Sequence, residues 1–161
     1  MSETPLKICT LVFLLRDDEI LLAMKKRGFG SGLWNGIGGK VDPGETIEQA
    51  LVRETQEEIG LTPTEFSKVA VHDFVFPDGT ADMQVHAYFC RQWSGEPCET
   101  EEMAPQWYKL TNIPYDDMWQ DDSVWLPLVL RGKLVQATFT FDATNDMTQG
   151  QFQFVPEFQQ T

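Results

Sequence analysis

The feature that most constrains the fold is a helical pattern over residues 46–59, in which the stripe of residues on one face changes from apolar to acidic. Thr46 with Gln49 three residues later predicts a capping box at its start, and Gly60 predicts its end. The first half carries apolar residues within one arc of the helix, as a core-packing stripe does: Ile47, Ala50 and Leu51. The arc then continues into three carboxylates, whose spacings of three and four residues place them on one face: Glu54, Glu57 and Glu58.

Two interpretations of this acidic face are open. Charge runs on helices are usually solvated surfaces, but like charges at these spacings cost about 0.2–0.5 kcal/mol per pair. They also lie in the half of the helix where the dipole disfavours anions, and Arg53 can offset only one of them, by pairing with Glu57. A divalent cation could neutralise all three, because carboxylate oxygens are the ligands that such hard ions prefer. Spacing alone does not decide between a solvated face and a metal site.

A glycine-rich run, residues 27–40, precedes this helix and contains six glycines. Glycine permits sharp backbone bends and close approach to a ligand, so the run is predicted to be a loop at a binding site. A flexible linker is the alternative. The presence of Phe29 and Trp34 within the run, and its position between a strand and a helix, disfavour a linker.

Residues 39–61 carry a recognisable order of residue types. Gly39 is followed after five residues by Glu45, and after seven more by RETQEEIGL at residues 53–61. This resembles the Nudix box, the loop–helix–loop signature of the Nudix hydrolases, at every fixed position. The one departure is Thr55, where the family usually has an aliphatic residue. The resemblance implies an α+β fold, with an α/β/α sandwich around a mixed β-sheet.

The resemblance also implies a metal site and a reaction. Mg²⁺, or Mn²⁺ in its place, would be held by a backbone carbonyl and the helix carboxylates, which are Gly39, Glu54, Glu57 and Glu58. An ion pair between Arg53 and Glu45 would orient the loop against the helix. The reaction would be attack of water on a diphosphate linked to another moiety, for which metals neutralise charge and a carboxylate takes the proton. Glu58 is the first candidate for that base, and Glu102 is the second, as base or extra metal ligand.

Three further segments resemble one branch of the family, the mammalian-type oxidised purine nucleoside triphosphatases or 8-oxo-dGTP diphosphatases: residues 24–41, 101–110 and 117–130. The likeness runs from about Leu6 to Phe141, and the tail from about residue 142 departs from it, which leaves its role open. It implies hydrolysis of 8-oxo-dGTP or 2-oxo-dATP type nucleotides to the monophosphate and pyrophosphate, which would cleanse the nucleotide pool. The alternatives are another diphosphate substrate, such as a nucleotide sugar or a methylated purine triphosphate, and a module that binds nucleotides without cleaving them.

The branch resemblance implies a pocket for the damaged base. Lys25 would lie on the sugar and phosphate side, and the other residues that would contact substrate are Thr10, Asn35, Gly38, Gly39, Phe74, Phe76, Met83, Trp119, Asp121, Asp122, Trp125 and Phe141. Trp119 offers a flat face on which a base could stack, as do Phe74 and Phe76. The alternative for these two phenylalanines, which share one strand face, is a place in the core. Asn35 offers a donor and an acceptor in one plane.

Two neighbouring carboxylates, Asp121 and Asp122, would read the base by sharing protons unequally. Adjacent carboxylates in a partly desolvated pocket do not both ionise easily, so one would donate a hydrogen bond while the other accepts one. The alternative is that one of them caps the helix that follows, because aspartate is a favoured N-cap.

The rest of the chain is predicted as strands and a second helix within one domain, residues 1–161. The predicted strands are residues 7–15, 19–24, 66–76, 82–92, 106–110, 134–141 and 151–155. The second helix would run from Asp121 to Gly132, and residues 93–104 would form an acidic loop. A turn at residues 77–80 would join two of the strands.

The charge balance bears on partners and location. A formal net charge of −13 argues against a broad nucleic-acid face, which needs clustered positive charge, so a small-molecule nucleotide is the expected partner. No apolar run approaches the roughly 20 residues of a membrane span, and we find no signal peptide pattern, so a cytoplasmic monomer without membrane association is expected. Cysteines odd in number and without metal spacing predict reduced thiols: Cys9, Cys90 and Cys98. His72 and His86 are assigned ordinary packing or surface roles.

Overall fold

The computed structural model describes residues 6–28, 30–76 and 82–158, which form nine strands and two α-helices. In chain order these are β1 (Lys7–Arg16), β2 (Glu19–Lys25), β3 (Trp34–Asn35), β4 (Ile37–Lys40), α1 (Ile47–Ile59), β5 (Thr62–Val75), β6 (Met83–Ser94), β7 (Met103–Lys109), α2 (Asp122–Leu130), β8 (Leu134–Phe141) and β9 (Met147–Val155). Neither helix in the described part of the chain is long and apolar enough to cross a membrane.

The alternation of side chains in β1 divides the core into two layers. Successive side chains of a strand point to opposite faces of a sheet, and in β1 both sets are apolar and buried. Val12 and Leu14 pack in the cluster that contains residues of α1, whereas Phe13 and Leu15 pack in the cluster that contains residues of α2. The two helices therefore cover opposite faces of the sheet, which confirms the predicted α+β fold and α/β/α sandwich.

The sheet is mixed, with the strand order β3-β2-β1-β6-β5-β8-β9. β1 pairs in parallel with β6, and β5 with β8, while the other pairings are antiparallel. β1 also forks: Leu14 near its end lies opposite Leu21 of β2, whereas Thr10 near its start lies opposite Gly39 of β4. The glycine-rich run therefore enters the sheet beside β1, next to the start of α1.

Helix α1 begins and ends as its sequence predicts. The Thr46 hydroxyl accepts a hydrogen bond from the Gln49 backbone N–H, and the Gln49 side chain accepts one from the Thr46 N–H. Gly60 ends the helix in the left-handed region, with φ of 72°, which favours glycine. Both ends of α1 are therefore fixed by caps, and the acidic residues of its second half are held in position.

The structure corrects several predicted boundaries. The glycine-rich run, predicted as a loop, contains β3, which pairs with β2, and β4, whose extended glycine backbone lies directly against β1. β5 begins at Thr62 rather than at residue 66, since its first residues pair with the end of β6. β9 begins at Met147 rather than at residue 151. Phe29 and the turn predicted at residues 77–80 lie outside the described residues.

The tail after residue 142 supplies β9, which pairs antiparallel with β8 at the edge of the sheet. It is also tied to the segment that precedes α2. The Gln120 side chain accepts from the Met147 backbone N–H at 2.7 Å and donates to Asp146 at 2.9 Å. The tail, whose role the sequence left open, thus braces residues next to Trp119 and Asp121.

Candidate active site

Arg53 is the centre of an ion-pair network at the acidic end of α1. Its Nε and Nη2 donate to the two carboxylate oxygens of Glu45 at 2.7 and 2.9 Å, a bidentate pair. These hydrogen bonds lower the pKa of Glu45 to about 2. Nη2 also donates to the Lys40 carbonyl at 3.1 Å. The ion pair that the family resemblance implies is therefore present, and it ties β4 to α1.

The same guanidinium holds two of the three helix carboxylates. Nη1 of Arg53 donates to Glu54 at 2.8 Å and to Glu57 at 3.2 Å. Glu57 is exposed, Glu54 is half-buried and Glu58 is buried, so the three carboxylates differ in environment. Within the described residues, no group of three or more acidic, histidine or cysteine side chains is arranged to hold a metal ion.

Glu58 is the buried carboxyl among the three on the acidic face of α1. Its Oε2 has no hydrogen-bond partner within the described part of the chain. Burial, followed by the charge of Glu54, raises the pKa of Glu58 to about 8, and a hydrogen bond from the Gly38 backbone opposes this. A carboxyl with a pKa near neutrality can take up and release a proton at working pH. A cation beside it would relieve both the missing partner and the repulsion from Glu54.

The two glycines of β4 bring backbone into close contact with the site. A Cβ at Gly39 would lie 2.6 Å from the carboxylate carbon of Glu54, and a Cβ at Gly38 would lie 1.8 Å from the Thr10 carbonyl oxygen. Neither position leaves room for a side chain. The Glu54 carboxylate therefore occupies the space that a side chain at position 39 would take.

Glu102 lies within electrostatic reach of Glu58 but is not fixed to it. Its charge contributes to the raised pKa of Glu58, while its own side chain is exposed and pairs loosely with Arg27 at 3.7 Å. The loop that carries it is anchored, because the Thr100 hydroxyl donates to the Glu58 carbonyl at 2.8 Å, and the Lys26 N–H donates to the Glu102 carbonyl.

The thirteen residues predicted to contact substrate all line one cavity, which opens between the glycine-rich run, β5 and the start of α2. They are Thr10, Lys25, Asn35, Gly38, Gly39, Phe74, Phe76, Met83, Trp119, Asp121, Asp122, Trp125 and Phe141. The cavity has a volume of about 210 Å³, smaller than the roughly 300–1,000 Å³ of pockets that enclose a whole drug-sized ligand. It suits one moiety of a larger ligand.

An aromatic wall lines one side of the cavity. The Phe141 ring stacks on Phe76 with centroids 5.5 Å apart, and it lies 5.7 Å from Phe74 and 5.9 Å from Trp119. Gly30 packs against the Trp119 indole, since a Cβ there would lie 3.4 Å from its Nε1. Both interpretations of Phe74 and Phe76, as core residues and as base-binding residues, are therefore compatible with the structure. The two rings pack with the hydrophobic core and also line the cavity.

The aspartate pair is buried and differently bonded. The Trp125 indole donates to Asp121 Oδ2 at 3.0 Å, whereas Asp122 Oδ2 has no partner among the described residues. Burial raises the pKa of both carboxyls, and that of Asp122 is raised further by the charge of Asp121. Asp121 makes no capping hydrogen bond and has helical dihedral angles, so the capping alternative is wrong for it: its carboxylate is held by Trp125 instead.

The cavity contains further polar groups in need of partners. Thr10 is almost fully buried, and its hydroxyl has no partner in the described part of the chain. The Asn35 side-chain oxygen accepts from the Gly36 N–H at 2.8 Å, which holds the amide in place. Together with Asp122, these groups give an otherwise apolar cavity a set of polar contacts for a ligand.

One polar lining residue was missed by the sequence analysis, which assigned it ordinary packing or a surface role. His72 is buried and lines the cavity. A signal for it was present: on a strand, residues two apart share a face, so the alternation that put Phe74 and Phe76 on one face also put His72 there. The other histidine, His86, is half-buried and its Nε2 contacts Gln84.

The cysteines are free thiols, as predicted. Cys9 lines the cavity and Cys90 is buried in the core, whereas Cys98 is exposed. Burial raises the pKa of Cys9 and of Cys90. Both are therefore protonated at neutral pH and act as small apolar side chains.

Comparison with known proteins bears on this site. The NUDIX domain model matches residues 5–129. The oxidized purine nucleoside triphosphate hydrolases of Danio rerio and Mus musculus are each 47% identical over 135 residues, which is 84% of this chain and 86% of theirs. The 8-oxo-dGTP diphosphatase of Escherichia coli is 32% identical over 114 residues, covering 69% of this chain and 87% of that protein.

Solved structures agree on the architecture. A MutT protein from Bacillus halodurans superposes with a TM-score of 0.79 at 22% identity, covering 94% of this chain and 99% of that chain. At this identity the likeness concerns the fold alone. Because the domain model and the relatives span most of the sequence, the chain belongs to the NUDIX family.

Proposed function

We propose that this protein hydrolyses oxidised purine nucleoside triphosphates, of the 8-oxo-dGTP and 2-oxo-dATP type, to the monophosphate and pyrophosphate, and so cleanses the nucleotide pool. The observation that carries the proposal is the cavity in which paired buried aspartates and an aromatic wall meet beside the acidic end of α1. The names of the zebrafish and Escherichia coli relatives support the same substrate class.

In this proposal the base enters the cavity and its edge is read by the aspartate pair. Asp122 keeps its proton and donates, while Asp121, stabilised as an anion by Trp125, accepts. Damaged guanine and damaged adenine present different edges. A pair that can exchange which member holds the proton could accept both, and the aromatic wall with Trp119 would stack on the base face.

The triphosphate would extend from the cavity toward α1. The residues that would hold Mg²⁺, or Mn²⁺, are the Gly39 carbonyl with Glu54, Glu57 and Glu58, and Glu102 as a further ligand. The unpartnered oxygen of Glu58 and the contact of Glu54 with Gly39 support this set. When bound, the ion would neutralise charge on the phosphate oxygens and acidify a water. Lys25 would add positive charge on the phosphate side.

The proton of the attacking water would pass to Glu58 or, as second candidate, to Glu102. The burial of Glu58 and its unpartnered carboxylate oxygen support the first assignment. The exposure of Glu102 and its loose pairing with Arg27 support the second, since its side chain is free to move. Arg53 and Glu45 would act as positioning residues, because they hold α1 against β4 without belonging to the cavity.

Product analysis with a substrate panel tests the proposal. With Mg²⁺ and 8-oxo-dGTP we expect equal amounts of 8-oxo-dGMP and pyrophosphate, resolved by ion-exchange chromatography. Orthophosphate formed in equal amount to a diphosphate product, without added pyrophosphatase, would overturn the proposed bond. Higher kcat/KM for a methylated purine triphosphate or a nucleotide sugar would instead assign another diphosphate substrate. Tight binding with no turnover would assign a non-catalytic module, although the complete glutamate set supports catalysis.

We further propose a cytoplasmic monomer that acts on free nucleotides and not on nucleic acid. The three free thiols support a reducing compartment. The net charge of −13 supports the choice of partner, because it would repel an extended phosphate backbone.

A further inference from the structure

His72 occupies a position where the sheet face is otherwise apolar. In the register of the sheet it lies opposite Val85 of β6 and Ala137 of β8, both buried. Phe74, two residues along β5 on the same face, lies opposite Met83 and Phe139. An apolar side chain at position 72 would therefore satisfy the packing, and the fold itself does not call for a histidine there.

Aromatic contacts hold the ring of His72, while one of its two ring nitrogens has no hydrogen-bond partner among the described residues. Its centroid lies 4.3 Å from that of Trp125, 5.4 Å from Phe139 and 6.0 Å from Phe74. These contacts engage the ring as an apolar group. Nε2 is buried and has no hydrogen-bond partner within the described residues. Buried polar atoms in native proteins almost always have a partner, so a bound ligand or an ordered water is the expected one.

The surroundings keep this ring neutral and close to the aspartate pair. Burial lowers the pKa of His72 to about 3, so the ring is uncharged at neutral pH. A neutral imidazole offers one donor and one acceptor, and its two tautomers exchange them. Trp125, the nearest ring to His72, is the residue that donates to Asp121. The imidazole therefore lies one side chain away from the groups proposed to read the base.

We infer that His72 is a further specificity-determining residue, whose imidazole forms a hydrogen bond with the bound purine, directly or through one water. The inference rests on the proposed function, because that function supplies a purine in this cavity. Like the aspartate pair, a neutral imidazole can present either a donor or an acceptor. It would thus suit a pocket that accepts more than one damaged base. The competing explanation is that His72 only packs against Trp125.

The wild-type protein allows a direct test, because the sequence contains only two histidines, His72 and His86. Nitrogen-15 NMR of protein labelled at histidine ring nitrogens would be recorded with and without saturating 8-oxo-dGMP, the product of the proposed reaction. We expect the ring-nitrogen signals of His72 to move, while those of His86, which does not line the cavity, stay in place. Unmoved His72 signals with bound nucleotide would overturn the inference.

Two substitutions separate hydrogen bonding from packing. His72→Phe keeps an aromatic ring without nitrogens, and His72→Leu keeps an apolar group, whereas His86→Phe is the matched control outside the cavity. The dissociation constant for 8-oxo-dGMP, measured by calorimetry, should rise about fivefold or more in both His72 variants, as expected for one lost neutral hydrogen bond. Their melting temperatures should be unchanged or raised, because the orphaned nitrogen is removed. Wild-type affinity in both variants would overturn the inference.

The failure of this inference is distinguishable from that of the proposed function. If the wild-type protein turns over 8-oxo-dGTP and binds its product, but His72 neither responds in the spectrum nor matters for affinity, the inference alone is wrong. If the wild-type protein does not turn over 8-oxo-dGTP, the proposed function is wrong, and the inference falls with it.

Discussion

At the scale of the residue, Glu58 is a carboxyl buried at the end of a helix with a second carboxyl beside it. Its pKa of about 8 lies above the ordinary value of 4.5, so the folded state binds the proton more tightly than the unfolded state. By linkage, the stability contributed by this group is complete below pH 4.5 and is lost as pH rises toward 8. A residue kept at this cost is a strong candidate for chemistry.

Substituting this carboxyl should therefore stabilise the metal-free protein while impairing catalysis. Glu58→Gln should raise the melting temperature at pH 8 by roughly 3 °C or more, and by less at pH 5. It should lower kcat by about 100-fold or more. Glu57→Gln, at an exposed position, is the matched control: it should lower kcat as well but leave the melting temperature nearly unchanged. Near wild-type activity in either variant would contradict the assignment of the acidic helix as the catalytic element.

A second prediction at the residue scale concerns how the aspartate pair determines substrate preference. Asp121→Asn and Asp122→Asn remove the ability to exchange a proton, so each should shift the ratio of kcat/KM for 8-oxo-dGTP to that for 2-oxo-dATP. A shift of about tenfold corresponds to roughly 1.4 kcal/mol. Melting curves of both variants show whether the changes in kcat/KM simply follow a loss of stability. Equal losses on both substrates, or losses that follow melting temperature alone, would show that the pair is structural.

At the scale of the element, local spacing was enough to predict α1 but not the strands beside it. The capping box, the apolar arc and Gly60 all belong to one helix and its caps, so the helix bounds can be predicted from neighbouring residues alone. β3 and β4 are only two and four residues long, and they form because β2 lies next to β3 and β1 lies next to β4. Such pairing is set by residues distant in the chain, which a local pattern does not report.

The glycines of β4 give a prediction that separates site geometry from folding. Gly39→Ala should displace the flexible Glu54 carboxylate, lowering kcat/KM by about 100-fold with little change in melting temperature. Gly38→Ala is the contrast, because its Cβ would meet the rigid Thr10 backbone and disrupt the β1–β4 pairing, so both activity and melting temperature should fall. Normal activity of Gly39→Ala would show that Glu54 need not lie against that backbone.

At the scale of the whole molecule, the cavity is assembled from residues far apart in the sequence. Its lining includes residues from β1, β2, β5, β6, β8 and α2. Residue patterns alone could identify aromatic and acidic candidates, but they could not show that these residues meet in one cavity. The resemblance to one branch of the family, which runs from about Leu6 to Phe141, supplied the full set of thirteen. His72 was missed because a histidine without a ligand partner at helical spacing suggested only packing or a surface role, although its alternation with Phe74 and Phe76 along β5 placed it on the cavity face.

The excess of negative charge over the whole chain should make its stability depend on divalent cations. With a net charge of −13, screening by salt alone should stabilise the protein modestly, whereas a bound Mg²⁺ should add RT ln(1 + [Mg²⁺]/Kd). Millimolar MgCl₂ should therefore raise the melting temperature more than NaCl of matched ionic strength. The difference should vanish in a variant carrying both Glu54→Gln and Glu57→Gln. An equal response to both salts in the wild-type protein would argue against a specific magnesium site.

The ratio of kcat/KM for 8-oxo-dGTP to that for undamaged dGTP, measured with Mg²⁺, tests most directly that this cavity recognises oxidised purines. An enzyme that cleanses the nucleotide pool must ignore the abundant normal nucleotides. We therefore expect the ratio to exceed about ten, which corresponds to at least roughly 1.4 kcal/mol of discrimination in the transition state. Comparable kcat/KM values for the two nucleotides would contradict the recognition of damaged bases by Asp121 and Asp122.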